Sequence, residues 1–211
     1  VPSREELAIV AGQRGEAGFA GDGGLAARAL LNGPADIEVD GAGNLYIADA
    51  DNHVVRFVDA QSSVITTLAG TPESKGYSGD GSAGGVRFNW PQALLLLEEE
   101  ALLVADLHNH RIRQVDLASR VVTTFAGSGS NEFTGENLPK SEGSLPYAVG
   151  LARDPSGALY ISSPLEHRVL KIGEPSIIPM PWWHSTWVWF AAAALSIALF
   201  WTALEVQKKR L

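Results

Sequence analysis

The sequence lacks several residue types on which whole functional classes depend. Its 211 residues include no cysteine, which excludes disulfide frameworks, thiolate metal sites and thiol catalysis. Lys and Arg number 16 against 24 Asp and Glu, which gives a formal net charge of −8. Three of the basic residues lie at 208–210, so residues 1–181 carry 13 basic and 23 acidic side chains. Because this part of the chain repels phosphate backbones, we expect no nucleic-acid partner.

Motifs for catalysis are also absent from the sequence. It contains no glycine-rich phosphate-binding loop, no Gly-x-Ser-x-Gly nucleophile motif and no His-Glu-x-x-His zinc motif. Glycine, in contrast, is abundant at 22 residues, beside 11 prolines and 45 % hydrophobic residues. This composition is typical of a turn-rich globular β protein.

One stretch of the chain occurs three times. It reads NLYIADADNHVVRFVD at 44–59, ALLVADLHNHRIRQVD at 101–116 and ALYISSPLEHRVLKIG at 158–173, with a spacing of 57 residues. A fixed period of this size is typical of repeat architectures. Within each copy, two apolar runs flank a polar segment, so each copy predicts a β-hairpin.

Further strands are predicted around each hairpin. A short apolar run precedes each copy and starts at Pro34, Pro91 and Pro146. Runs that close on Ala-Gly lie at 7–12, 64–70 and 121–127. Each unit is therefore predicted to supply four short strands, and the units lie at about 7–63, 64–120 and 121–173.

Two local patterns favour helix rather than strand. QALLLLEEEALL at 92–103 favours helix by itself, but its register with the other copies predicts two strands joined by a turn at Glu98 to Glu100. In the glycine-rich segment before the first hairpin, Asp22 is expected to cap a short helix that ends at Asn32 and Gly33.

The succession of these motifs resembles the long variety of NHL repeat. The matching residues are the GDGG loop at 21–24, NLYIAD and NH-x-V-R in the first hairpin, and ITT-x-AG at 65–70. The resemblance covers roughly 7–173 and implies β-propeller blades with four strands each. The expected fold is thus an all-β, NHL-type, propeller-like array of three four-stranded blades. Valines at positions 55 and 58, which lie on opposite faces of one strand, agree with a blade stacked on both sides.

Three blades are too few for a closed ring, since propellers have four to eight. The array is also offset, because it starts with an outer strand at 7–12 and ends with the inner partner of such a strand at 168–173. The exposed strand edges need covering. A ring built from two chains, another protein that covers the ends, and further blades in a longer chain are the alternatives.

The character of the chain changes after residue 173. A proline-rich linker is expected at 174–181, a transmembrane helix at 182–205 and a basic tail at 206–211. Residues 185–204 contain no charged side chain, and about 20 apolar residues span a bilayer core. The membrane anchors are Trp182, Trp183, Trp187, Trp189 and Trp201 at the interfaces and Lys208, Lys209 and Arg210 in the tail.

The basic tail predicts the orientation in the membrane. Lys and Arg favour the cytoplasmic or stromal side, so domain 1–173 is expected in a lumen, the periplasm or the cell exterior. Translocation of that domain needs a cleaved N-terminal signal, which a start at Val1 fits.

Four histidines are candidate ligands. His53, His110 and His167 occupy the same position in the three units, and some NHL-type enzymes, the peptidylglycine-amidating lyases, hold a metal with histidines inside the ring. The favoured interpretation gives them a structural place in the turns formed by Asp49, Asn52, Asp106 and Asn109. His184 among the tryptophans could ligate a pigment or haem, or act as an interfacial anchor.

The favoured function is a non-catalytic, single-pass accessory subunit of a membrane complex. No cofactor is expected, although pigment or lipid contacts around the helix fit such a subunit. Its partners are other subunits and the lipid bilayer, and the most specific expectation is a lumen-facing subunit of a photosynthetic complex in the thylakoid membrane. The alternatives are a membrane-anchored, metal-dependent lyase or hydrolase and a ligand-binding ectodomain.

Overall fold

The strands of the three repeats form three separate antiparallel sheets in the computed structural model of the chain, and we call these sheets blades. The structure describes residues 7–132, 134–135 and 138–173. The predicted linker, membrane helix and basic tail, with His184 and the tryptophan anchors, lie outside the described residues. Within the described ranges no helix is long and apolar enough to cross a membrane.

The first blade has the four strands predicted for one unit, arranged in chain order. Its strands are β1 (Pro34–Val39), β2 (Leu45–Asp49), β3 (Val54–Val58) and β4 (Ile65–Ala69). β-Branched and aromatic side chains dominate β2 and β3, where both faces of the sheet are covered.

The second blade repeats this arrangement and adds a short strand at its outer edge. It contains β5 (Gly81–Ser82), β6 (Pro91–Leu97), β7 (Ala101–Asp106), β8 (Arg111–Asp116) and β9 (Val121–Ala126), in the order β5-β9-β8-β7-β6. The leucine-rich run forms β6, as the repeat register predicts, and Glu98 to Glu100 form the turn. Glu98 and Glu99 have φ angles of 48° and 61° in that turn.

The third blade has fewer strands than the first two among the described residues. Its described residues form only three, β10 (Gly150–Arg153), β11 (Leu159–Ser163) and β12 (Arg168–Ile172). In the other blades the fourth strand directly follows the strand equivalent to β12. Gly173, which follows β12, is the last residue that the structure describes. Among the described residues, the outer edge of β12 pairs with no strand.

Three expectations from the sequence are wrong. The strand predicted from Pro146 begins only at Gly150. Residues 7–12 form no strand, and the side chain of Leu7 is fully exposed, because no neighbouring strand in the described chain bonds to their backbone. The predicted helix after Asp22 is a single 3₁₀ turn at Ala26–Arg28, and Leu25 rather than Asp22 stands at its N-terminal cap.

The hydrophobic core lies between the blades. The innermost strands β1, β6 and β10 are neighbours, with β6 in the middle, so the blades stack side by side. Val55 and Val58 are both buried but belong to different clusters, on opposite faces of the first blade. Across the first junction, the backbone N–H of Leu94 donates to the Asp36 carboxylate at 2.8 Å.

Candidate interaction surface

A 3₁₀ turn joins the second and third strands of every blade and places the repeated polar residues. The turns are Ala50–Asn52, Leu107–Asn109 and Pro164–Glu166. In the first blade, the Asp49 carboxylate accepts hydrogen bonds from the Asn32 backbone N–H at 2.7 Å and from Asn52 Nδ2 at 2.8 Å. Asp49 is fully buried, so its contacts serve the turn and the loop that ends at residue 33.

Arg56 completes this network and was not identified from the sequence. Its guanidinium is fully buried, with Nη1 3.3 Å from Asp49 Oδ2 and Nη2 2.6 Å from Asp22 Oδ1. It also lies 4.7 Å from the ring centroid of Phe19. These contacts fasten the glycine-rich loop to the blade. The sequence signal was available, since an arginine in the apolar run VVRFV needs buried partners.

The second blade contains the same network. Arg113 Nη2 lies 3.1 Å from Asp80 Oδ1, and Arg113 Nη1 lies 3.8 Å from Asp106 Oδ2. Asn109 Nδ2 donates to Asp106 at 2.8 Å, as Asn52 does to Asp49.

The third blade has lost this network. By the repeat spacing, Ser163 and Leu170 take the places of Asp49 and Arg56. Ser163 Oγ donates to the Pro146 carbonyl instead. The carboxylate and the guanidinium are therefore replaced together, as expected when each depends on the other for burial.

Burial controls the ionisation of the network carboxyls. It raises the pKa of Asp106 to about 7, against the opposing hydrogen bonds from Asn89 and Asn109 and the charge of Arg113. Burial likewise raises the pKa of Asp49. A raised pKa can mark a catalytic acid, but both carboxyls are closed off from solvent and hence from any substrate. Their described contacts are to the turn, the loop and the buried arginine.

The repeated histidines end the 3₁₀ turns in a left-handed backbone conformation. The φ angles of His53, His110 and His167 are 59°, 53° and 52°. His53 Nδ1 accepts a hydrogen bond from the Trp90 backbone N–H at 3.3 Å, and the His110 ring lies edge-on to Tyr147 at 6.0 Å. These contacts tie the first two turns to the blades that follow them.

The histidines do not form a metal site in the described part of the chain. They lie one per blade, and no group of three His, Asp or Glu side chains there is placed to hold a metal ion. Burial lowers the pKa of both His53 and His110, with smaller contributions from nearby cations, so both rings favour the neutral form.

The outward face of the first blade exposes apolar side chains. Ile37 on β1 is 57 % exposed, and Val39 is also exposed. In the second blade the residue equivalent to Ile37 is Leu94, which is buried in the core between the first two blades. The first blade therefore presents a surface that the repeat normally packs against a preceding blade.

The outward face of the third blade also exposes an apolar side chain, on the side where a following blade would pack. Val169 on β12 is 70 % exposed, whereas its equivalents Val55 and Ile112 are fully buried against the following blade. An apolar surface of this kind at the end of a stack is typical of a protein interaction site.

A cavity of about 610 Å³ runs along the edge of β12 that pairs with no strand in the described part of the chain, and we call it the β12 cavity. One wall is β12 itself. The opposite wall is formed by the preceding loop, through Gly135, Leu138, Pro139, Lys140, Gly143, Ser144 and Leu145. A strand edge beside such a cavity can bind an added strand.

Sequence comparison identifies NHL repeat proteins as relatives. No family model matches the chain. The bovine NHL repeat-containing protein 2 is 36 % identical over 104 residues, which cover 48 % of this chain and 14 % of that protein. Protein SUPPRESSOR OF QUENCHING 1, chloroplastic, of Arabidopsis thaliana is 33 % identical over 99 residues, covering 47 % and 9 %. This chain thus corresponds to a small part of each relative.

Structural comparison agrees on the fold. An auxiliary nutrient binding protein from Bacteroides thetaiotaomicron VPI-5482 superimposes with a TM-score of 0.54 at 23 % identity, covering 65 % of this chain and 36 % of that one. A protein of the same description from Bacteroides ovatus ATCC 8483 gives a TM-score of 0.53 at 21 % identity, with the same coverage. These neighbours and the stacked antiparallel blades support a propeller-like fold, and the relatives show that about half of this chain is similar to NHL repeat proteins.

Proposed function

We propose that this protein is a non-catalytic, single-pass accessory subunit of a membrane complex, in which the blades make protein–protein contacts outside the cytoplasm. The observation that carries the proposal is the exposure of Val169, at a repeat position that is fully buried in both other blades. A surface built to pack against a blade needs a protein to cover it.

The opposite end of the stack supports the same conclusion. Ile37 and Val39 are exposed on β1, and Leu7, Ile9 and Val10 are exposed beside the first blade. Two apolar surfaces at the two ends of one array favour a role in assembly over binding of a small polar ligand.

The membrane anchor is proposed from sequence. Residues 185–204 lack charged side chains, tryptophans lie at 182, 183, 187, 189 and 201, and the basic residues 208–210 follow. This order favours a lumenal or extracytoplasmic location for the blades. The chloroplastic relative supports the thylakoid as the membrane and a photosynthetic complex as the assembly.

Extraction of the full chain from its own membranes tests this function. The tagged chain is solubilised in mild detergent and examined by native electrophoresis and mass spectrometry. We expect it in a complex far larger than its own 22.4 kDa, together with other subunits. Migration as a free monomer would contradict the proposal.

Charged variants at the blade faces test which surface makes the contacts. Val169→Asp should release the chain from the complex, because a buried unpaired carboxylate disrupts an apolar interface. Leu25→Asp is the matched control, since Leu25 is exposed and its equivalent Ser82 stays exposed in the second blade, between two neighbours. Equal effects of Val169→Asp and Leu25→Asp would argue against a partner contact through the outward face of the third blade.

A further inference from the structure

We propose that the partner at the open end is a second copy of this chain, whose residues 7–12 add to β12 as the missing fourth strand. This inference rests on the proposed function, which requires a protein partner. It identifies that partner. Two copies that exchange this segment would form one ring of six blades, within the range of four to eight blades found in propellers.

The sequence of residues 7–12 is that of a fourth strand. LAIVAG at 7–12 matches ITTLAG at 65–70 and VTTFAG at 122–127, which contain β4 and β9. In this alignment Leu7 takes the position of Ile65 and Val122, both of which are fully buried. Leu7, in contrast, is fully exposed. The segment therefore has the side chains of a paired strand but pairs with no strand among the described residues.

A repeated backbone hydrogen bond shows where residues 7–12 belong. Gly70, which ends β4, donates to the Ala83 carbonyl of the following loop at 2.9 Å, and Gly127 donates to Lys140 in the same way at 2.7 Å. Gly12 donates to the equivalent carbonyl, Ala26, at 3.0 Å. Gly12 therefore takes the position of the glycine that ends the fourth strand of a preceding blade.

The third blade has the place for that strand. In the second blade β9 pairs with β8 on one side and with Gly81 and Ser82 of the preceding loop on the other. By the repeat spacing, Leu138 and Pro139 are the equivalents of Gly81 and Ser82, and both line the β12 cavity opposite β12. The cavity thus has the two walls between which β9 lies in the second blade.

One head-to-tail contact between two copies covers the outward faces of the first and third blades. A third blade placed before the first blade of another copy would cover Ile37 with the face that carries Val169, as Leu94 and Val55 share the core between the first two blades. The same placement inserts residues 7–12 beside β12. Because two such contacts are equivalent, the pair of chains closes on itself.

The continuation of the same chain is a poorer occupant of the β12 cavity. By the repeat spacing, Pro179 and Pro181 take the positions of Ile65 and Thr67 of β4. Proline has no backbone N–H, so a strand with proline at these alternate positions loses two donors on one edge. Residues 7–12 contain no proline.

Disulfide trapping in the full chain in mild detergent tests the inference. The register of β3 with β4 pairs Phe57 with Thr66, which predicts that Lys171 of one copy lies opposite Ala8 of the other. A chain with Ala8→Cys and one with Lys171→Cys, carrying different tags, should form a disulfide on mixing, because opposed residues lie within bonding distance. The chain has no native cysteine to interfere. Ser156→Cys, on an exposed turn, replaces Lys171→Cys in the control and should not cross-link.

Native mass spectrometry of the purified chain gives the number of copies. We expect two, and Leu7→Asp should weaken the pair at least about tenfold, whereas Leu25→Asp should not. A single-copy mass for the wild type, or a disulfide confined to one chain of an Ala8→Cys, Lys171→Cys double variant, overturns the inference. A native complex that contains one copy of this chain together with other subunits also overturns the inference, but it agrees with the proposed function. A free monomer in both preparations removes both proposals.

Discussion

The buried guanidinium of Arg56 holds the carboxylate of Asp22 at 2.6 Å, across 34 residues of sequence. Asp22 Oδ2 also accepts from the Thr67 hydroxyl at 2.7 Å, so one carboxylate joins the glycine-rich loop to β3 and β4. The second blade repeats the contact through Arg113 and Asp80.

The ion pair of Asp49 and Arg56 should be easier to replace as a pair than to break by changing one partner. Arg56→Leu alone should lower the free energy of unfolding by about 3–5 kcal/mol, because it leaves the buried Asp49 carboxylate without its cation. Addition of Asp49→Ser, which reproduces the Ser163 and Leu170 pair, should restore most of the loss. Urea unfolding followed by circular dichroism measures the double-mutant cycle, and strictly additive effects would count against the coupling.

The raised pKa of Asp106 predicts the sign of a pH effect on stability. Because the folded pKa is about 7 and the unfolded value is about 4, the folded state binds the extra proton between these values. The stabilisation from this proton is complete below about pH 4 and is lost as the pH rises through 7.

Asp106→Asn provides the control for this effect. In the wild type, Asp106 should add a slope of up to about −1.4 kcal/mol per pH unit to the free energy of unfolding within that window. The variant should lack this slope, and denaturation at several pH values measures it. An unchanged slope would show that Asp106 is ionised in the folded state.

Glycine at the end of β4 is required by a close backbone approach. A Cβ on Gly70, whose φ angle is 99°, would lie 2.7 Å from the His53 carbonyl oxygen. We therefore expect Gly70→Ala to cost about 2–4 kcal/mol. Gly76→Ala is the control, since Gly76 has a φ angle of 129° and open space around its Cβ, and should cost about 1–2 kcal/mol for backbone strain alone. Thermal unfolding of both variants compares the costs.

The left-handed backbone at His167 predicts a stabilising substitution. His167 has a φ angle of 52° and an exposed side chain, so His167→Gly should raise the free energy of unfolding by about 0.5–1 kcal/mol. His167→Ala keeps the strain and should not stabilise. Denaturant unfolding distinguishes the two, and a gain from alanine equal to that from glycine would refute the backbone explanation.

Much of the fold followed from the repeat period. The three hairpins, the strands that start at Pro34 and Pro91, and the strand nature of the leucine-rich run were correct, since residues 92–97 could be compared with two other copies at the same register. The third leading strand begins at Gly150 rather than at Pro146. The expectation for residues 7–12 was wrong for a related reason. Their pattern is that of a strand, but a strand forms only where a neighbour supplies hydrogen bonds.

The candidate site was less accessible to sequence reasoning. The equivalence of Val169 with Val55 was visible, but its exposure depends on which blade follows, and that is not a local property. Arg56 was passed over because its carboxylate partners lie 7 and 34 residues away along the chain. Only their burial shows that the charges compensate one another.

By itself, the sequence determined the repeat, the strand and turn order within each unit, and the acidic, thiol-free chemistry of the chain. These properties follow from side-chain periodicity and turn residues, which act over a few positions. The tertiary structure decided which carboxylates meet the buried arginines and which blade has an unpaired outer strand among the described residues. Those outcomes depend on contacts between distant segments, where the cost of burying a charge or leaving a backbone amide unpaired is set by whatever packs against it.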